Sequence, residues 1–125
     1  MNTYKNVIDK SPQELFKWLT DNFLVELPSV LMSIEDMEYA SSLLIQLAGY
    51  YQYLTALLSY AKISTRAAKR NLSKEAYEDM VDKKELIQNT VDAVKQSYNA
   101  VSRAVTIHIE NNAELRMNSS GSIRE

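Results

Sequence analysis

Apolar residues recur along most of this chain in steps of three and four. Met37, Ala40, Leu44, Leu47, Tyr51, Leu54, Leu58, Ala61, Thr65, Ala68 and Leu72 form one such series, and Ile87, Val91, Val94, Tyr98, Val101, Val105, His108, Asn112 and Leu115 form a second. Steps that alternate 3 and 4 keep every member on one side of an α-helix, so each series predicts a long helix with a heptad seam. Ser33-Ile34-Glu35-Asp36 starts the first, predicted over 34–71 and about 57 Å long at ~1.5 Å per residue. Asn71-Leu72-Ser73 is the turn, with Ser73 capping the helix that follows and runs to about Met117. Asp82-Lys83-Lys84-Glu85 repeats a capping-box pattern, so a kink or restart is expected near 81–83. The β-branched run Ala104–Ile109 reads as a strand in isolation, but the heptad on both sides makes it helix.

Upstream, Ser11-Pro12-Gln13-Glu14 is a helix start. Serine suits the cap, proline the first helical position, and glutamate the capping-box return bond. Leu15, Trp18, Leu19 and Phe23 follow at helical spacing, giving a short helix over about 12–25 that Pro28 breaks or restarts. Residues 1–10 look loosely structured, and Asn118–Glu125 look like a flexible tail. The organisation is thus an N-terminal segment 1–33 with a short helix, a long helical region 34–117, and a tail 118–125. The expected fold is all-α: a long antiparallel helical hairpin, with the short helix packed near its open end. Two long helices leave flanking apolar residues uncovered, among them Leu43, Tyr50, Leu57, Ile107 and Ile109. Assembly into a homo-oligomeric bundle or ring would cover them. Leu43, Tyr50, Leu57, Tyr98, Val105, His108 and Asn112 are the expected oligomer interface. Polar His108 and Asn112 in consecutive seam positions suit the fixing of register or subunit number.

Composition narrows the chemistry. Of 125 residues only 2 are Gly and 2 are Pro, which argues against a fold of many short strands. Hydrophobic residues make up 46% of the chain, enough to bury a core. Cysteine is absent, so thiolate metal sites and cysteine nucleophiles are excluded. The polar start has no apolar signal-peptide stretch, and with the lack of cysteine this fits the cytoplasm. His108 is the one histidine; it sits in the seam, with no Glu-x-x-His pair anywhere. No catalytic residue, metal site or cofactor is expected, and the two glycines cannot build a phosphate loop.

Charge is the informative feature. The net charge is −2, so the chain is no bulk polycation. Yet Lys62, Arg66, Lys69, Arg70 and Lys74 fall in one stretch with no acid between them. Lys62, Arg66 and Lys69 share one helical face. Cations near a helix C-terminus are favoured by the dipole, and the same cluster suits an anion site, above all a nucleic-acid backbone. Tyr50, Tyr53 and Tyr60 lie on another face of the same helix, about 160° away at ~100° per residue. A single helix therefore cannot combine those rings with the basic stripe in one groove; only a neighbouring subunit or helix could bring the two together.

The long Tyr- and Leu-rich helix ending in basic residues is followed by Tyr77-Glu78-Asp79-Met80, Lys83-Lys84-Glu85 and Asn99-Ala100-Val101-Ser102-Arg103-Ala104-Val105-Thr106-Ile107-His108-Ile109-Glu110. Over about residues 37–117 this order resembles the phage recombination-mediator family of UvsY type. The resemblance implies a small, non-catalytic, ring-forming homo-oligomer in the host-cell cytoplasm. Such a protein binds single-stranded DNA and helps a RecA-like recombinase load on strands covered by single-strand binding protein. By that resemblance Lys62, Arg66, Lys69, Arg70 and Lys74, with Lys83 and Lys84, would contact DNA. The first 33 residues have no counterpart in it. A different reading makes the chain a helical protein–protein interaction module, an inhibitor, adaptor or scaffold without nucleic-acid binding. Its partner-binding element would be the aromatic helix with Phe16, Trp18, Leu19 and Phe23.

Overall fold

The computed structural model describes the backbone of residues 3–25, 34–71 and 73–124, with side chains over 4–25, 35–71 and 73–113. Every element among these residues is a helix: α1 (Thr3–Ile8), α2 (Pro12–Phe23), α3 (Ile34–Asn71) and α4 (Lys74–Arg124). None of them is long and apolar enough to cross a membrane. Pro28, Ser33 and Leu72, expected as breaker, cap and seam residue, lie outside the described residues.

Helices α3 and α4 form the long hairpin. Ser73 caps α4 as the sequence predicts: its hydroxyl accepts from the Ala76 N–H at 3.3 Å, and its carbonyl accepts from the Tyr77 N–H at 3.0 Å. The core follows the heptad. Ala40, Leu47, Leu54, Ala61 and Ala68 are buried at seven-residue intervals on α3, facing Met80, Ile87, Val94 and Val101 at the same interval on α4. The alternate seam positions are graded. Leu58 and Thr65 are buried and Leu44 half-buried, while Tyr51 is 40% exposed. Buried Thr65 returns its hydroxyl to the Ala61 carbonyl at 2.7 Å, so its polar atom is satisfied inside the seam.

α2 begins with the predicted capping box. Ser11 Oγ accepts from the Glu14 N–H at 3.2 Å and the Glu14 carboxylate accepts from the Ser11 N–H at 3.4 Å. Leu15, Leu19 and Phe23, one face of this helix, are buried. The helix does not sit at the open end of the hairpin, as the sequence suggested, but along its middle. Phe23 stands edge-on to Tyr50 at 5.0 Å and stacks on Tyr53 at 6.0 Å, while Pro12 and Phe16 lie by Asp82, Leu86 and Asn89. The physical reason is the tyrosine face of α3, which offers the largest aromatic surface at mid-length.

Residues 1–10 are also corrected: Thr3–Ile8 is helical. Val7 and Ile8 are buried, and Tyr4 rests against Tyr53 and Tyr60 at 5.5 and 6.1 Å. So short a helix is stabilised by packing rather than by propensity. The expected restart near 81–83 is absent, because Met80, Lys83 and Ile87 form an unbroken buried stripe on a continuous α4. α4 also runs on through residues 118–124, the expected tail; each further residue in a formed helix adds a backbone bond without a new nucleation step.

α1 and α2 change which residues need a partner. Leu43 and Leu57, expected at an oligomer interface, are buried within the chain, and Tyr50 packs on Phe23. The two N-terminal helices cover the face that a bare hairpin would expose.

Candidate nucleic-acid interface

The side of the hairpin away from α1 and α2 carries the basic stripe. Lys62, Thr65, Arg66 and Lys69 from α3, with Tyr77 and Lys84 from α4, line a groove of about 410 Å³. At ~100° per residue, Tyr51, Lys62, Arg66 and Lys69 fall within a sector of about 60° on α3, and the groove runs beside that sector. The short turn at Asn71–Lys74 brings α4 back antiparallel, so residues whose numbers sum to about 146 come opposite one another. Tyr77 therefore meets Lys69, and Lys84 meets Lys62.

Among the described residues, no carboxylate lines this groove. Among the described residues, Lys62, Arg66, Lys69 and Lys84 form no ion pair. Like charges gathered without counter-charges repel one another, and a bound polyanion relieves that repulsion. Two acids of α4, Asp82 and Glu85, border a different groove, of about 440 Å³, with Pro12, Phe16 and Leu86.

The seven predicted basic residues separate into three groups. Lys62, Arg66, Lys69 and Lys84 meet in the groove. Arg70 and Lys74 are exposed by the turn and do not line it. Lys83 is corrected from DNA contact to structural residue. It is 9% exposed, and its ammonium donates to the Ile8 carbonyl at 2.7 Å. That carbonyl ends α1, and the N–H that would reach it four residues on belongs to Pro12, which has none. Lys83 supplies the missing donor.

The aromatic helix proposed as a partner-binding element is mostly core. Leu19 and Phe23 are buried, and Trp18 lies edge-on to Phe23 at 5.3 Å; of the four, Phe16 alone is broadly exposed, at 58%. The packing of Tyr4 and Trp18 around Tyr53 has an electrostatic consequence: burial first, then the neighbouring Tyr4, pushes the Tyr53 phenol above its ordinary value. Toward the open end, Val105 packs on the core edge, His108 is half-buried, and Asn112 is exposed. His108 Nε2 lies 3.2 Å from Asn112 Nδ2, a local pair one turn apart. Among the described residues no three His, Cys, Asp or Glu side chains converge as a metal site would need.

Sequence reasoning did not find Thr65 and Tyr77 as groove residues. The signal was present in the position of the turn, which fixes the cross-hairpin pairing. Tyr77 is the aromatic side chain that α4 brings beside the basic stripe. No family model, curated protein or solved structure matches this chain.

Proposed function

We propose that this chain is an oligomeric single-stranded DNA-binding protein of the recombination-mediator kind, with the α3–α4 groove as its DNA contact. One observation carries the reading: four cationic side chains from two helices line one groove that has no carboxylate. The groove offers backbone phosphates point charges from Lys62, Lys69 and Lys84 and a planar guanidinium from Arg66, with the Tyr77 ring beside them. Such contacts recognise the strand and not its sequence. The link to recombinase loading, to single-strand binding protein and to the cytoplasm rests on the UvsY-type resemblance.

Oligomerisation multiplies a modest per-chain affinity. Of the remaining expected interface residues, Val105, His108 and Asn112 lie on α4 toward the open end, where Ile107 and Ile109 are exposed. This helix has 51 residues against 38 in α3, so about 20 Å of it passes beyond its partner.

The test is an anisotropy titration of labelled oligo-dT at several salt concentrations, beside light scattering for native mass. Single-strand binding falls with a log–log slope of about −0.7 per phosphate contact, so four contacts per chain give about −2.8. The double variant Arg66→Ala/Lys69→Ala should bring the slope to about −1.4 and leave native mass unchanged. Wild-type affinity in that variant at ~100 mM salt would place DNA elsewhere. The interaction-module reading keeps one support, exposed Phe16 beside Asp82 and Glu85. It gains if the wild-type protein binds no DNA at low salt and Phe16→Ser abolishes capture of a protein partner.

A further inference from the structure

A second recess lies on the same side of the hairpin. Ala48 and Tyr51 of α3, with Lys95, Tyr98 and Asn99 of α4, line a space of about 310 Å³. Tyr51 and Tyr98 are the unusual members. Both hold seam positions by spacing, yet they are 40% and 38% exposed. Tyr53, on the α2 side of the same helix, shows what burial of a tyrosine in this fold looks like: it is ringed by Tyr4, Trp18 and Phe23. Neither Tyr51 nor Tyr98 has a ring partner of that kind among the described residues.

The recess is in line with the basic groove. Tyr51 shares the α3 face of Lys62, Arg66 and Lys69, and it lies about 22 Å along the helix from Arg66. On α4, Tyr98 is about 21 Å from Lys84. Lys95 continues the positive lining, and among the described residues no carboxylate enters this recess either. On α4 between the two, the Gln88 amide donates to the Asp92 carboxylate at 3.1 Å.

We propose that Tyr51 and Tyr98 form a base-stacking platform for a single strand whose phosphates lie in the basic groove. Lys95 takes a phosphate at this end, and the Asn99 amide meets a base edge. Phosphate contacts alone do not separate single strands from duplex. Exposed rings do, because only unpaired bases can leave their neighbours and stack on protein. The platform gives the protein its preference for single strands without giving it a sequence preference. It also moves Tyr98 from the expected oligomer interface to the ligand side. The inference rests on the proposed nucleic-acid groove.

The experiment compares two probes of equal length and charge: oligo-dT, and a strand of abasic deoxyribose phosphates. Wild-type protein should bind oligo-dT more tightly than the abasic strand. Tyr51→Ala/Tyr98→Ala should weaken oligo-dT binding about tenfold or more, leave abasic binding and the salt slope unchanged, and leave native mass by light scattering unchanged. Tyr51→Phe/Tyr98→Phe, which keeps both rings, should bind as wild type. Circular dichroism confirms that the variants remain folded. The platform is overturned if the alanine pair keeps wild-type oligo-dT affinity, weakens both probes equally, or changes the native mass. In each of those cases a loss in Arg66→Ala/Lys69→Ala still supports the groove. Wild-type protein that binds neither probe overturns the groove and the platform together.

Discussion

Changing Lys83 to methionine separates a structural lysine from its neighbour Lys84, which lines the groove. Methionine keeps the length and apolar burial of the stem but removes the donor to the Ile8 carbonyl, held at 2.7 Å. A hydrogen bond involving a charged group contributes about 1.5–3 kcal/mol, and a cation at a helix C-terminus adds attraction within the same contact. The desolvation of a side chain only 9% exposed offsets part of that. A net loss of about 2 kcal/mol is therefore expected, or roughly 8 °C in Tm for a domain of this size. The assay is urea unfolding followed by Trp18 fluorescence, since Trp18 lies 5.3 Å from Phe23 and 6.4 Å from Tyr53 and reports on the docked N-terminal helices. Lys84→Met should unfold within ~0.5 kcal/mol of wild type yet flatten the DNA salt slope by about 0.7. Lys83→Met should do the reverse. A wild-type midpoint in Lys83→Met, or a flattened slope in that variant, would refute the assignment.

Two further outcomes follow from single residues. Gly49 sits in the interior of α3, and a Cβ placed there meets nothing within 4 Å; Gly49→Ala should raise stability by about 0.5–1 kcal/mol in a thermal melt. Tyr53 has a phenol pKa raised by burial and by Tyr4. Because the folded value is the higher one, stability is whole below the unfolded pKa of about 10 and declines as pH rises through the folded value. Tyr53→Phe should lose less stability than wild type between pH 9 and 11 in alkaline denaturation (a range about the ordinary phenol pKa).

Local signals in the sequence were reliable where the physics is local. The Ser11–Glu14 capping box, the Ser73 cap and the bounds of α3 depend on residues three or four apart, and the structure has them as read. The heptad also held where one helix faces one other, as Ala40 to Ala68 and Met80 to Val101 show. It misled where a third element intervenes. Leu43 and Leu57 are off the seam yet buried, and on the uncovered side Tyr51 is on the seam yet exposed. Periodicity states which residues share a face and does not state how many neighbours that face will meet. Lys83 is the sharpest instance: nothing in Asp82-Lys83-Lys84-Glu85 distinguishes two adjacent lysines, and a carbonyl at residue 8 decides between them. The groove was half legible. The basic stripe is visible on α3 alone, but Tyr77 and Lys84 join it only through the antiparallel return.

The bond from Lys83 to Ile8 joins residues 75 positions apart in the chain. Synthesis proceeds from the N-terminus at about 5–20 residues per second, so α1 is made roughly 4 to 15 s before its lysine exists. For the first part of that interval the aromatic residues of α2 are also without the α3 tyrosines that cover them, Tyr50 and Tyr53. α1 is thus secured only after α3 and the start of α4 have been made, and its exposed apolar surface while waiting sets a window in which a nascent chain is open to aggregation or to chaperone capture.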